Sequence, residues 1–254
     1  MKDKVGKYKF LAEPFHCDFN RRLLMGHLGN HLLNAADFHS LDRGFGMNYL
    51  STIDKTWVLS RLAIEVEEMP EMYGDFFVET WVDTAMKYFT KRNFSIVGNG
   101  EKVYGYGRSV WAMIDIKTRQ PQNILEINGG SINLYIEKEK ECPIEPSSRV
   151  QVSQQAGLVR AIDTFYSDVD INGHVNSIKY IEHVLDLFDL DWYRAHCLKR
   201  FEVAYVAETY CGDRLNFYQE KINDLDFSFR ITKTEKEGGN EAEVCRAKLA
   251  FVPK

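Results

Sequence analysis

Residues Ser167 to Asn176 read Ser-Asp-Val-Asp-Ile-Asn-Gly-His-Val-Asn. They gather two carboxylates (Asp168, Asp170), a carboxamide (Asn172) and an imidazole (His174) in one short stretch. It lies between a strand-like segment ending near Tyr166 and a helical pattern, so it is a loop-to-helix junction. A helix N-terminus offers unpaired N–H groups and the positive end of a dipole, which stabilise an oxyanion while neighbouring side chains move protons. Asn-Gly is also a turn signal, and Asp170 or Asn176 can cap a helix, so spacing alone leaves a structural reading beside the chemical one. A further carboxylate, Glu208, ends the alternation Phe201-Val203-Tyr205 beside Thr209 and Tyr210.

The elements that must hold these groups follow from periodicity. Ile178, Ile181, Val184, Leu185 and Phe188 recur at three- and four-residue steps and predict a helix over 176–190. Leu28, Leu32, Leu33, Ala36 and Leu41 predict another over 24–41. Strand-like stretches follow each helix: 57–68, 73–84, 88–98 and 102–117, then 199–208, 213–222, 226–233 and 241–252. Turns at Asn99-Gly100 and Gly238-Gly239-Asn240 precede the last strand of each set.

The chain also repeats itself half a chain length apart. Trp57 to Val66 leads to the Gly74-Asp75 turn, as Arg200 to Val206 leads to Gly212-Asp213. A helix followed by antiparallel strands, twice over, is an α+β plan in which a sheet wraps a central helix, so neither helix is expected to be amphipathic toward solvent. Residues 1–118 and 150–254 are the expected halves. The stretch 119–149, with Pro121, Pro143, Pro146, Gly129-Gly130 and the charged run Glu137 to Glu141, is expected to be the linker between them. Counting back from Glu208 by the spacing of the Gly-Asp turns reaches Pro70. Aligning Gly26-His27 with Gly173-His174 sets Met25 opposite Asn172. On that alignment only the second half keeps a polar site.

Composition bounds the class. With 254 residues, 44% hydrophobic and 13% aromatic, the chain can bury one large core or two smaller ones, which excludes a disordered protein. A net charge of −5 argues against general nucleic-acid binding. The first residues are charged and lead into no apolar core of a secretory signal, and no apolar run nears the roughly 20 residues of a membrane span. A soluble, cytoplasmic protein is expected. Cys17, Cys142, Cys197, Cys211 and Cys245 form no C-x-x-C pair and are expected to be reduced thiols, neither a disulfide framework nor a zinc site.

The string Asp168-x-Asp170-x-Asn172-x-His174-x-Asn176, followed by Lys179-Tyr180-Ile181 and by Tyr205-x-x-Glu208, resembles the acyl-ACP thioesterase family of plant plastids and bacteria. Trp57-Val58-Leu59-Ser60-Arg61 resembles that family's Trp-x-x-x-Arg segment. The resemblance implies a tandem (double) hotdog, each half a long helix wrapped by an antiparallel β-sheet. The implied reaction is hydrolysis of the thioester between a fatty acyl chain and the phosphopantetheine arm of acyl carrier protein, with no cofactor and no metal. Pairing of two copies into a homodimer is compatible with it.

In that reading Asn172 and nearby backbone N–H groups take the carbonyl oxygen, and His174 orients the substrate and exchanges the proton. Asp170 is the first choice to activate water or attack, and Glu208 holds water or tunes His174. Asp168 is expected to be structural. Where the plant pattern has Cys after the Glu, this chain has Thr209, which disfavours a thiolate mechanism; Cys211 is expected to be structural. Since the first half lacks catalytic groups, Met25, Leu28, Leu32, Trp57, Leu59 and Phe77 are candidates for the acyl slot. Docking an acidic carrier needs a local basic patch, for which Arg21-Arg22, Lys87 with Lys91-Arg92, and Lys199-Arg200 are available. An acyl-CoA thioesterase, a hotdog dehydratase and a non-catalytic acyl-binding protein are the competing readings.

Overall fold

Buried and exposed residues alternate along parts of several strands, and the two longest α-helices each bury one stripe, in a computed structural model that describes residues 2–100, 102–236 and 238–254. The chain divides into two units, Met1–Pro146 and Ser147–Lys254.

The first unit contains β1 (Gly6–Leu11), α1 (Met25–Asp42), α2 (Met47–Ser51), β2 (Lys55–Val66), β3 (Asp75–Ala85), β4 (Phe89–Val97) and β5 (Val103–Asp115). Its strands pair antiparallel in the order β1-β3-β4-β5-β2. Met25, Leu28, Leu32, Ala35 and Ala36 form the buried stripe of α1. Leu32 passes so close to β5 that a Cβ on Gly107 would lie 3.3 Å from it, so a glycine stands at that crossing. β1 was not foreseen. Its Lys7 and Lys9 point out from an edge strand, where outward lysines discourage further pairing, and in sequence they read as a charged leader.

The stretch 119–146 packs within the first unit. Ile124, Ile127 and Ile132 join Phe45, Leu50, Val82 and Met113 in one buried cluster, and Cys142 and Ile144 pack on Trp81. Its prolines and glycines break regular structure without removing it from the core: helical turns over Ile124–Tyr135 are interrupted between Ile127 and Gly130.

The second unit contains β6 (Gly157–Asp163), α3 (Ser177–Leu185), α4 (Leu190–Ala195), β7 (His196–Tyr205), β8 (Arg214–Lys221), β9 (Asp226–Thr234) and β10 (Ala242–Pro253). Its strands pair in the order β6-β8-β9-β10-β7, which is the first unit's order repeated. Each unit is thus a helix set against a five-stranded antiparallel sheet, the hotdog plan. The Asn176 side chain accepts the Ile178 N–H at 2.9 Å and starts α3. The helix stops at Leu185, short of the expected 190. Asp189 accepts the Trp192 N–H and starts α4, and Phe188 turns into an aromatic cluster with Phe227 and Phe251, at ring separations of 5.0 Å.

A candidate active site on the loop before α3

The loop between β6 and α3 is folded by Asp170. Its Oδ1 accepts the N–H groups of Asn172 (2.8 Å) and His174 (3.3 Å), its backbone N–H donates to the His174 carbonyl (2.8 Å), and the Asn172 side-chain amide reaches its Oδ2 at 3.4 Å. Gly173 takes the left-handed conformation the turn requires, at φ 81°. Val175 N–H then donates to the Thr209 carbonyl (2.8 Å) and Asn176 N–H to the Asp168 carbonyl (2.7 Å), which fastens the loop to the segment after β7.

That fastening brings His174 and Glu208 together. His174 Nε2 lies 3.5 Å from Glu208 Oε2, with side chains 21% and 32% exposed, so the pair is reachable from solvent. The Tyr210 hydroxyl also lies 3.5 Å from Glu208 Oε2, and the Tyr210 ring meets the His174 ring edge-on with centroids 5.1 Å apart. Nothing in the sequence singled out Tyr210 beyond its place beside Glu208. Asp168 is buried, accepts the Phe165 N–H at 2.8 Å and faces His183 Nε2 at 3.4 Å, a structural place as expected.

Two expectations change. Most of the backbone N–H groups at this junction are already used. Those of Asn172, Gly173, His174, Val175, Asn176, Ile178 and Lys179 all donate within the protein. The Asn172 side-chain amide is a further donor there, exposed and with a 3.4 Å contact to Asp170. The alignment of the halves changes too. Asp18, Asn20 and Arg22 fold a loop like that of Asp170, Asn172 and His174: Asp18 Oδ1 accepts the N–H groups of Asn20 (2.8 Å) and Arg22 (3.0 Å), and Leu23 N–H donates to the Pro70 carbonyl (2.9 Å). Pro70 therefore matches Thr209, and Met69 precedes it as Glu208 precedes Thr209. The shared Asp-x-Asn spacing was the available signal. It was hidden because Arg21, at φ 61°, stands where Gly173 does.

In this first loop an arginine replaces the imidazole of His174. Arg22 holds the His174 position and is clamped by Glu68 (2.8 Å), Glu71 (2.9 Å) and the Met69 carbonyl (3.1 Å). The expected basic patches lose members in the same way. Arg92 is buried on Ser40 and Thr80 hydroxyls, where desolvation lowers its pKa to about 9, and Arg200 is paired with Glu202 at 2.8 Å.

Of the slot candidates, Met25, Leu28, Leu32 and Leu59 are buried in the first unit. Trp57 donates its indole N–H to the Phe45 carbonyl (2.9 Å) and packs on the Phe45 cluster. Phe77 lies on the opposite face of β3 from Phe76 and Val78, under the Lys7 ammonium at 4.9 Å, and so does not share the α1 side, where Phe76 meets the His31 ring. All five cysteines are free. Burial raises the pKa of Cys142 and Cys245, which keeps both as thiols. Among the described residues no helix is long and apolar enough to cross a membrane, and no group of three or more His, Cys, Asp or Glu could hold a metal ion.

Residues 3–127 match the acyl-ACP thioesterase N-terminal domain and residues 152–251 the acyl-ACP thioesterase C-terminal domain. A crystallised acyl-ACP thioesterase from Bacteroides thetaiotaomicron is 50% identical, with 98% of each chain covered and a TM-score of 0.90. The 12:0-ACP thioesterase from Umbellularia californica shares the fold at a TM-score of 0.83, with 20% identity over 100% of this chain and 99% of that one. A chloroplastic palmitoyl-acyl carrier protein thioesterase of Gossypium hirsutum is 29% identical over 197 residues, 73% of this chain and 47% of the plant protein. The chain thus spans about half the length of that curated relative.

Proposed function

The chain belongs to the acyl-ACP thioesterase family, and from that premise we propose that it hydrolyses the thioester of fatty acyl-ACP, with His174 and Glu208 as the proton-handling pair. The observation that carries this reading is the 3.5 Å approach of His174 Nε2 to Glu208 Oε2 on a half-exposed loop whose copy in the first unit has a clamped arginine instead. Glu208 takes a proton from water as the water oxygen bonds to the carbonyl carbon. The Asn172 amide donates to the oxyanion, the carbon–sulfur bond breaks, and the proton on Glu208 passes to His174 and from it to the leaving carrier thiolate, which restores both side chains. Asp170 holds the loop, as Asp18 does in the first unit, where Arg22 stands at the His174 position. The mechanism needs no thiol nucleophile.

The acyl chain is assigned to the apolar interior of the first unit around Met25, Leu28, Leu32 and Leu59, where each methylene accommodated contributes roughly 0.8 kcal/mol. Free cysteines suit a reducing compartment, and a cytoplasmic setting and a homodimer belong to the same reading. The test is carrier-thiol release from acyl-ACP and acyl-CoA of varied chain length. Release from acyl-ACP supports the proposal, and release from acyl-CoA alone replaces the carrier.

A further inference from the structure

Three hydroxyls, on buried Tyr180 and Thr209 and half-buried Tyr205, stand behind the His174–Glu208 pair in the second unit. Tyr180 on α3 donates to Thr209 Oγ1 at 2.7 Å, and Tyr205 at the end of β7 donates to the Ser177 carbonyl in the first turn of α3 at 2.6 Å. The two tyrosine rings meet edge-on, with centroids 5.7 Å apart. One bond runs from the helix to the segment that carries Glu208, and the other runs back from that segment's strand to the helix that follows His174. Thr209 is 0% exposed and Tyr180 3%, and burial raises the pKa of both tyrosines, so all three remain neutral hydroxyls.

The first unit shows what the same fold does without them. The hydrogen bonds shared by the two copies set Pro70 at the Thr209 position and Leu28 at the Tyr180 position, six residues after Arg22 as Tyr180 is after His174. Val66 stands at the Tyr205 position, since Glu67 N–H donates to the Tyr104 carbonyl as Val206 N–H donates to the Val244 carbonyl. Leu28, Val66 and Pro70 are buried and have no side-chain hydrogen-bonding group. The loop still closes there, with its Leu23-to-Pro70 bond at 2.9 Å against 2.8 Å in the second unit. Three apolar side chains therefore suffice for the backbone, and placing three hydroxyls there instead brings desolvation costs that only their mutual bonds offset.

We infer that Tyr180, Thr209 and Tyr205 are positioning residues that hold Glu208 opposite His174, an inference that rests on the reading of this pair as the catalytic one. Thr209 adjoins Glu208 in the chain, so anchoring its side chain fixes the backbone from which the carboxylate projects. This gives the Thr209 hydroxyl a use other than that of a nucleophile: it is buried and accepts from Tyr180.

The experiment compares wild type with Tyr180→Phe, Thr209→Val and Thr209→Ser, together with the double variant Tyr180→Phe/Thr209→Val, using acyl-ACP as substrate. Expected are a fall in kcat of about tenfold or more in Tyr180→Phe and Thr209→Val with KM changed less than about twofold, a double variant no worse than either single one, and rescue by Thr209→Ser. A drop in melting temperature without a drop in kcat, or equal kcat for Thr209→Ser and Thr209→Val, would overturn it. Crystal structures of wild type and Tyr180→Phe decide the question even if wild type fails to hydrolyse acyl-ACP, a failure that counts against the proposed activity. An unchanged 3.5 Å His174–Glu208 approach in the variant overturns the positioning role, and a displaced Glu208 supports it.

Discussion

Arg22 and His174 occupy the same place in two copies of one loop. Each follows an Asp-x-Asn pair, and each gives its backbone N–H to the aspartate's Oδ1, at 3.0 Å for Arg22 and 3.3 Å for His174. One side chain is locked between two glutamates and the other faces a single glutamate at 3.5 Å, so the same scaffold carries a structural clamp in one unit and a titratable pair in the other.

The shared loop predicts shared stability. Asp18→Ala and Asp170→Ala each remove the acceptor of two backbone N–H groups and should cost about 1–3 kcal/mol by chemical denaturation. Asp170→Asn keeps an acceptor oxygen and should retain more than about a tenth of kcat. A loss of a thousandfold in Asp170→Asn would instead make Asp170 the base.

The cysteines should be dispensable for chemistry. A variant with all five replaced by Ala or Ser, folded by circular dichroism, should keep most of its hydrolysis, because Cys142 and Cys245 are buried thiols and Thr209 stands after Glu208. Trapping an acyl group on Cys211 by mass spectrometry would refute this.

Stability should fall on mild acidification. Burial lowers the pKa of His39 to about 2 and of His31 to about 4. The unfolded chain therefore binds more protons below pH 6.5. The stability these neutral histidines allow is complete above pH 6.5 and is lost as pH falls, down to about 4 for His31 and about 2 for His39. Each contributes at most about 1.4 kcal/mol per pH unit in its window. Denaturation at pH 7.5 and 5.0 should show a smaller difference in His39→Leu than in wild type. An equal difference would show that His39 is not the source.

Chain-length preference should respond to the first unit's interior. Leu28→Phe or Leu32→Phe should shift the preferred acyl length, by about tenfold in relative rate for two carbons. Phe77→Ala, on the far face of β3, should leave the ranking unchanged. A re-ranking by Phe77→Ala with none from the leucines would move the slot elsewhere.

Strand and helix positions were legible wherever one face alone is buried. Cys245, Ala247, Leu249 and Phe251 are all buried on β10, and α1 begins and ends within a residue of its expected bounds. The pattern failed where local charge or tertiary packing decided the outcome. β1 was masked by its edge lysines, the end of α3 was set by Phe188 joining distant rings, and the 119–146 stretch looked like a linker because its core residues are separated by glycine and proline. The site's residue types were readable, but the division of work among them was not. Asp170, read from the sequence as the first choice of base, also holds the turn through Oδ1, and the Asp18 loop went unnoticed because Arg21 gave no glycine signal.

The most direct measurement is the rate of carrier-thiol release from a ladder of acyl-ACP substrates by wild type, His174→Ala and Arg22→Ala, each checked for folding. Wild type and Arg22→Ala should release thiol at comparable rates on the preferred chain, and His174→Ala should be slower by at least about a hundredfold on every chain. Near-wild-type release by folded His174→Ala, or none by folded wild type on any chain, would contradict the account.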